Sequence, residues 1–190
     1  MNNSNNNIVQ RLIWLDLEMT GLQISKDRII EIATIITDNQ LNIIAEGPVF
    51  TITQENKLLN SMDKWNTKQH TKSGLIERVN ASNILEEEAE NKTLEFLKKH
   101  LNETESPMCG NSIGTDRAYL KKYMPTLEKF FHYRNIDISS IKELVARWYG
   151  ASVVKGCEKQ MKHRALDDIK DSINELKYYR DIVFKKISLS

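Results

Sequence analysis

The stretch from Leu12 to Leu17 is apolar at every position except Asp16, and this pattern constrains the fold more than any other feature of the chain. An exposed strand would alternate apolar and polar residues, so the run predicts a central strand covered on both faces. The stretch from Ile29 to Ile36 is a second run of the same kind, broken only by Glu31 and Thr34. The chain is therefore expected to build its core around a buried sheet.

The connection after the second run is short enough to fix the direction of the next strand. Only Asp38-Asn39-Gln40 precedes a third apolar run, which begins at Leu41 and continues towards Ile52. Such a connection permits a hairpin and excludes the crossover that parallel strands require. The opening three strands are expected to be antiparallel.

Beyond residue 55 the apolar spacing becomes helical and later alternates with short strands. The first predicted elements are a helix from about Ile84 to Leu101 and a strand at Met108-Cys109-Gly110. A helix from Asp116 to Tyr123, stopped by Pro125, and a strand from Tyr133 to Ile138 follow. The next helix is capped by Ser139 or Ser140 and ended by Gly150, and a last helix begins at about Ala165. This order predicts an α/β fold with a mixed sheet, antiparallel strands first and parallel strands after, flanked by helices.

Length and charge bound the organisation and the partners of the chain. Its 190 residues, 40% hydrophobic and 28% charged, suit one globular domain, expected at residues 9–186 after a polar tail, expected to be disordered, at residues 1–8. Basic and acidic residues number 27 and 26, so the formal charge is only +1. Without a broad positive field, long nucleic acid is held poorly. We expect any nucleic-acid substrate to be short, with no binding to long duplexes.

The cysteines and the start of the chain indicate a location. Cys109 and Cys157 match neither a disulfide framework nor a zinc pattern, which favours free thiols in a reducing compartment. The first residues lack the features of a signal or transit peptide, and no apolar run approaches the roughly 20 residues needed to span a bilayer. A cytoplasmic protein without a membrane partner is expected.

Asp16 and Glu18 are the first candidates for chemistry. Side chains alternate across a strand, so both carboxylates point to one face. Two like charges at the end of an apolar strand repel and lose hydration, at a cost of several kcal/mol per ion, unless a cation compensates. The alternative is a strand that ends near Leu15 and leaves both acids in water. On its own, the Asp-x-Glu spacing favours that alternative.

Two further strings place acids at helix starts. His163 precedes Asp167 and Asp168 where a loop enters the last helix, and Asp116 follows the glycine-bearing turn that begins at Gly110. Each string has a simpler explanation. Carboxylates in a first helical turn, such as Asp167 and Asp168, are favoured by free N–H groups and by the helix dipole, and the glycine-bearing stretch suits a plain turn. In combination, four acids and one histidine suit Mg²⁺ or Mn²⁺ better than zinc.

These strings together resemble the DEDD exonuclease superfamily, in the branch with a histidine in its last motif, and they are most similar to the oligoribonucleases. Trp14 to Leu22 is similar to the opening motif of that family, Cys109 to Asp116 to the second motif, and His163 to Asp168 to the third. The resemblance covers about residues 11 to 182 and implies a ribonuclease H-like fold.

The resemblance also implies roles for individual residues. Asp16, Glu18, Asp116 and Asp168, rather than the adjacent Asp167, would hold two divalent cations, Mg²⁺ or Mn²⁺. His163 would be the general base of hydrolysis. The remaining matches concern the substrate: Leu22 and Trp65 would pack on the bases, His70, Ser112, Arg134 and Ser139 would surround the 5′ phosphate, and Tyr133 would come from the partner subunit of a homodimer.

The substrate residues have simpler alternatives from spacing alone. Leu22 and Trp65 would then belong to the core, Arg134 would pair with an acid, and His70 would cap a helix. With the resemblance, the expected function is a 3′→5′ exoribonuclease that degrades very short RNA, 5′-phosphorylated dinucleotides especially, to 5′ mononucleotides. The rivals are an exonuclease of the same superfamily that trims DNA or longer RNA, and a catalytically silent nucleic-acid binding module.

Overall fold

The structure of the chain, a computed structural model, describes residues 10–156 and 164–184. The expected tail at residues 1–8, Cys157 and the expected general base His163 lie outside the described residues. Cys109 is a buried free thiol.

Six strands form one mixed sheet. They are β1 (Leu12–Met19), β2 (Ile29–Thr37), β3 (Ile43–Glu46), β4 (Phe50–Thr51), β5 (Met108–Gly110) and β6 (Asn135–Asp137). The sheet has the order β3-β2-β1-β5-β6, and β4 also pairs with β2. β2 is antiparallel to β1, β3 and β4, whereas β1, β5 and β6 run parallel. The predicted α/β fold with a mixed sheet is confirmed.

Nine helices accompany the sheet in the described parts of the chain. They are α1 (Asn56–Leu59), α2 (Lys64–Lys72), α3 (Leu75–Ala81), α4 (Glu86–Lys98), α5 (Gly114–Tyr123), α6 (Pro125–Phe130), α7 (Ile138–Tyr149), α8 (Ala151–Lys155) and α9 (Ala165–Ile182). None of these helices is both long enough and apolar enough to cross a membrane.

The alternation of side chains along β1 divides the core into two layers. Ile13, Leu15 and Leu17 pack into a cluster with residues of α4, α5 and α6. Trp14, on the opposite face, packs into a second cluster with residues of α7 and α9. Because Asp16 and Glu18 follow Trp14 at even spacing, they lie on the face that α9 covers.

Several predicted boundaries differ from the structure; the strand predicted from Tyr133 to Ile138, for example, spans only Asn135–Asp137. The third strand is two short strands, β3 and β4, because Gly47 and Pro48 interrupt the run between them. The helix predicted from about Ile84 to Leu101 is shorter at both ends and spans only α4. Pro125 does not only end the preceding helix: it occupies the first turn of α6, where its missing N–H costs nothing. The cap of α7 is Asp137, not Ser139 or Ser140 as predicted, and its carboxylate accepts a hydrogen bond from the N–H of Ser139.

Candidate active site

Three carboxylates from two elements meet on the α9 face of the sheet. Asp16 and Glu18 project from β1, and Asp168 projects from the first turn of α9. One oxygen from each of the three residues lies within 4.8 Å of the others, and all three side chains are partly buried. Asp167 is not part of this group, although it lies in the same helical turn.

Asp116 approaches the group from α5, on the other side of β1. It is 5% exposed, and its Oδ1 accepts a hydrogen bond of 2.9 Å from the N–H of Leu17. This bond ties the start of α5 to the strand residue that separates Asp16 from Glu18. The four predicted acids therefore converge, three of them as one cluster and the fourth beside it.

The acids strongly disfavour each other's ionisation. Burial raises the pKa of Asp16 well above its usual range, and the charges of Asp116, Glu18 and Asp168 raise it further. Burial, followed by the charge of Asp168, raises the pKa of Glu18 from 4.5 to about 8. Burial also raises the pKa of Asp116 to about 7, although the hydrogen bond from Leu17 acts in the opposite direction. Among the described residues, the charge of Arg78 lowers the pKa of Glu18, but burial and the neighbouring acids outweigh it.

This donor set fits hard divalent cations. Carboxylate oxygens are the ligands that Mg²⁺ and Mn²⁺ prefer, and a bound cation would offset both the burial and the repulsion that raise the pKa values of Asp16 and Glu18. Residues that would hold such ions are Asp16, Glu18, Asp116 and Asp168. None of the cysteines or histidines in the described ranges joins the cluster, so its chemistry is that of oxygen donors.

Leu22 and Trp65 lie on the surface, which excludes the alternative that they belong to the core. Leu22 is 76% exposed and Trp65 is 61% exposed. Both line a cleft of about 530 Å³ between the loop that follows β1 and the first turn of α2. The volume is that of a small-ligand site. The two side chains offer the cleft an aliphatic and an aromatic surface.

The loop that carries Leu22 is held rigidly from beneath. The buried carboxylate of Asp27 accepts hydrogen bonds from the hydroxyl of Thr20 and the N–H of Gln23. Gly21 packs so closely on this carboxylate that a Cβ there would lie 2.5 Å from Oδ2 of Asp27. The hydroxyl of Tyr119 donates to the carbonyl of Gly21. Leu22 is thus exposed by a fixed loop conformation.

His70 lies beside Glu18. It is 2% exposed, its Nε2 is 2.9 Å from the carbonyl oxygen of Met19, and its Nδ1 is 3.8 Å from Oε2 of Glu18. A carbonyl only accepts hydrogen bonds, so Nε2 carries a proton. His70 lies in the last turn of α2 and contacts the end of β1 rather than serving only its own helix.

Ser112 and Ser139 lie together at the carboxyl ends of β5 and β6. Their hydroxyl oxygens are 3.3 Å apart, and the carboxylate of Asp137 accepts hydrogen bonds from the N–H groups of both serines. Ser112 adopts the left-handed conformation with φ 51°, which a non-glycine residue rarely adopts. The two hydroxyls form a small polar platform at the same end of the sheet as the acids.

Tyr133 and Arg134 lie at the other end of the sheet. The N–H of Met108, at the start of β5, donates to the carbonyl of Arg134, just before β6 begins. Arg134 is therefore about 10 Å, or three strand residues, from Asp137 along the strand direction. Its guanidinium lies 5.0 Å from the ring of Tyr133, and Tyr133 is 74% exposed. Arg134 pairs with no acid in the described ranges.

Two acids near the site were not singled out from the sequence. Glu31 lies directly opposite Glu18 in the β1–β2 pairing and is 2% exposed. Asp137 holds both serines of the platform. The signal for Glu31 was present, since it is an acid inside an apolar run, as Asp16 is. Asp137 has no comparable signal, because an acid between a strand and a helix is common.

Comparisons of the sequence with known proteins give a consistent result. The sequence profile of the exonuclease family RNase_T matches residues 13–176. An oligoribonuclease from Marinobacter nauticus is 62% identical over 175 residues, which cover 92% of this chain and 97% of that protein. An oligoribonuclease from Legionella pneumophila is 62% identical over 90% of this chain and 91% of that protein. One from Acinetobacter baylyi is 58% identical over 93% of this chain and 96% of that protein.

Solved structures share the fold at much lower sequence identity. The metal-free complex of Escherichia coli exonuclease I with single-stranded DNA superposes with a TM-score of 0.70 at 14% identity, over 92% of this chain. The zinc-bound form of that complex gives a TM-score of 0.66 at 15% identity, over 90% of this chain. In both comparisons the chain spans only 40% of the length of exonuclease I.

The repulsion within the cluster predicts how stability depends on pH and on cations. Since the folded chain holds protons on Asp16, Glu18 and Asp116 that the unfolded chain has lost, these acids destabilise the metal-free fold increasingly as pH rises from about 4.5 to about 8. In EDTA, the double variant Asp16→Asn/Glu18→Gln should therefore melt higher than the wild type at pH 8. At pH 5.5 this advantage should be smaller.

Thermal melts in EDTA and in Mn²⁺ measure both effects. Mn²⁺ should raise the melting temperature of the wild type by several degrees at pH 8 and leave that of the double variant nearly unchanged. A variant that is no more stable than the wild type at pH 8 in EDTA would contradict the repulsion described above.

Proposed function

The chain belongs to the exonuclease family RNase_T and, within it, to the oligoribonucleases, and from this premise we propose that it is a 3′→5′ exoribonuclease that degrades very short RNA to 5′ mononucleotides. Its preferred substrates would be 5′-phosphorylated dinucleotides. The observation that carries the proposal is the convergence of Asp16, Glu18 and Asp168 beside Asp116, next to a cleft with exposed apolar walls.

Hydrolysis would use two divalent cations, Mg²⁺ or Mn²⁺, held by Asp16, Glu18, Asp116 and Asp168. When bound, such ions lower the pKa of a water molecule and neutralise charge on the scissile phosphate. The neutral imidazole of His163 would accept the proton of the attacking water at a ring nitrogen. In the sequence, His163 directly precedes Arg164, the N-cap residue of α9, and α9 carries Asp168.

Substrate length would be read on both sides of the acids. Trp65 offers a flat surface on which any base can stack, and Leu22 offers an aliphatic contact from the opposite loop. At the other side, the hydroxyl of Ser112 donates to Ser139 and that of Ser139 donates to Asp137 in the free chain, and both would turn to donate to phosphate oxygens. A substrate held at both ends in this way would be short.

The serine platform needs a positive charge from elsewhere. Asp137 already occupies the N–H groups of Ser112 and Ser139, and within the described ranges no lysine or arginine contacts any of these three side chains. Phosphate binding beside a carboxylate without a cation is unfavourable. Arg134, about three strand residues from Asp137 in the same chain, would supply that charge to the 5′ phosphate, and the adjacent Tyr133 would come from the partner subunit.

A homodimer would therefore complete the site. Besides Tyr133, the described surface has a further apolar area on α7, where Leu144 is 42%, Trp148 is 68% and Tyr149 is 55% exposed. Clustered exposed aromatic residues of this kind are typical of subunit interfaces.

The two adjacent acids of α9 provide a matched test of the metal site. Asp168→Asn removes a metal ligand, so hydrolysis of a dinucleotide should fall by more than the roughly 10- to 100-fold that loss of an outer-shell group costs. Asp167→Asn, one residue away in the same turn, should leave the rate within about twofold. Steady-state assays in saturating Mn²⁺ measure both. Full activity of Asp168→Asn would refute the assignment.

Substrate length is tested by comparing a 5′-phosphorylated dinucleotide with a 20-mer RNA and a 20-mer DNA. The dinucleotide should be turned over fastest, and Trp65→Ala should lower its kcat/KM by about 5- to 150-fold, the equivalent of losing one stacked base. Equal or faster cleavage of either 20-mer would favour a nuclease of longer substrates. No cleavage of any of the three would favour a silent binding module.

Contribution of Tyr133 by the partner is tested by mixing two inactive variants, Tyr133→Ala and Asp116→Asn. In a reassorted heterodimer, the Tyr133→Ala subunit keeps its acids and receives an intact tyrosine from its partner. About one quarter of wild-type activity should return, because half of the dimers would carry one intact site of two. If Tyr133 acts within its own chain, mixing restores nothing.

A further inference from the structure

Glu31 is a buried carboxylate whose oxygens contact α3, α9 and, through the hydroxyl of Thr51 at 3.4 Å, β4. It lies in β2, where every residue is buried, and is itself 2% exposed. Oε1 accepts a hydrogen bond of 2.8 Å from Nη2 of Arg78 in α3. Oε2 accepts one of 3.1 Å from the backbone N–H of Ala165 in α9. A single side chain therefore joins the start of β2 to two different helices.

The bond to Ala165 replaces a missing helix cap. The first N–H groups of a helix have no partner within the helix, and a side chain of the preceding residue often supplies one. Arg164, the N-cap residue of α9, provides no side-chain cap. Glu31 reaches across from the sheet and takes this part, and its negative charge also suits the positive end of the helix dipole.

The turn that Glu31 holds is the turn that carries Asp168. Asp168 lies three residues after Ala165, and its N–H closes the first hydrogen bond of the helix with the carbonyl of Arg164 at 3.0 Å. Fixing the N–H of Ala165 relative to β2, which pairs with β1, fixes Asp168 relative to Asp16 and Glu18.

The charge of Glu31 would be a disadvantage without Arg78. Glu31 lies opposite Glu18, and its charge raises the pKa of that residue, whereas the charge of Arg78 lowers it. The guanidinium is itself fixed, because Nη1 donates a hydrogen bond of 3.0 Å to the carbonyl of Ser73. Arg78 thus neutralises Glu31 and anchors it to the turn between α2 and α3.

We propose that Glu31 and Arg78 are positioning residues that hold the first turn of α9, and with it Asp168, at the separation from Asp16 and Glu18 that a divalent cation requires. The inference rests on the proposed function for its catalytic meaning, but binding of the cation can be measured without an assay of hydrolysis. Loss of Arg78 leaves Glu31 buried without its counter-ion and frees it from the α2–α3 turn.

The sign of the effect distinguishes positioning from simple electrostatics. Arg78→Met removes a positive charge near the cluster, so electrostatics alone predicts tighter binding of a cation. Positioning predicts weaker binding, by about tenfold or more, as for other groups that orient metal ligands. Isothermal titration calorimetry of the full chain with Mn²⁺ measures the difference. Unchanged or tighter binding by Arg78→Met would overturn the proposal.

Arg28→Met is the matched control. Arg28 forms an ion pair with Glu86, and its side chain is 40% exposed, against 36% for Arg78. Arg28 contacts neither α9 nor the carboxylate cluster of the site. It should bind Mn²⁺ as the wild type does; equal weakening in both variants would mean a general loss of stability and would also overturn the proposal. If circular dichroism shows that Arg78→Met is unfolded, Arg78→Gln carries the same test.

Calorimetry also separates this inference from the proposed function. If Arg78→Met binds Mn²⁺ more weakly than the wild type, and the wild type cleaves none of the RNA substrates, the positioning role is supported and the nuclease activity is refuted. If the wild type cleaves the dinucleotide and Arg78→Met binds Mn²⁺ as tightly as the wild type, the nuclease activity is supported and the positioning role is refuted. Absence of Mn²⁺ binding by the wild type would refute the positioning role.

Discussion

The mutual repulsion of carboxylates at the carboxyl end of β1 is the constraint on which the rest of the structure depends. Asp16, Glu18 and Asp168 lie within reach of one cation, and burial makes their charges costly. A fold can keep such a group together only if rigid elements oppose the repulsion. The apolar layers on both faces of β1 provide that rigidity, with Trp14 and Leu15 fully buried on opposite faces just before the acids begin.

Strand direction determines which residues join the acids. The carboxyl ends of β1, β5 and β6 meet at one edge because these strands are parallel, so the acids, Ser112 and Ser139 share that edge. The antiparallel strand β2 brings its beginning to the same place, which puts Glu31 opposite Glu18. A mixed sheet can therefore bring to one site a residue that starts a strand and residues that end one.

The sequence predicted the sheet and the acids because each left a local pattern. The apolar run around Asp16 is visible in the sequence, and so is the short connection between β2 and β3, which spans residues 38–42 in the structure. The role of Glu31 depends on Ala165, 134 residues away, and no local pattern records that contact. The cap of α7 was misassigned for a related reason. Asp137, Ser139 and Ser140 are all good capping residues, and only the backbone geometry selects among them.

The fold alone does not select the substrate, since exonuclease I shares it at 14% identity and its solved complex contains single-stranded DNA. Selection must then lie in groups added at the rim of the sheet. Rigid segments keep Leu22 and Trp65 exposed. Asp27 supports the loop that carries Leu22, and Asp63 caps the start of α2, which carries Trp65. Exposing large apolar side chains on rigid supports costs solvation in the free protein, and under the proposed function a base that covers them would recover that cost. In that function the carboxylates would carry out hydrolysis, whereas the rim would limit how much nucleic acid fits.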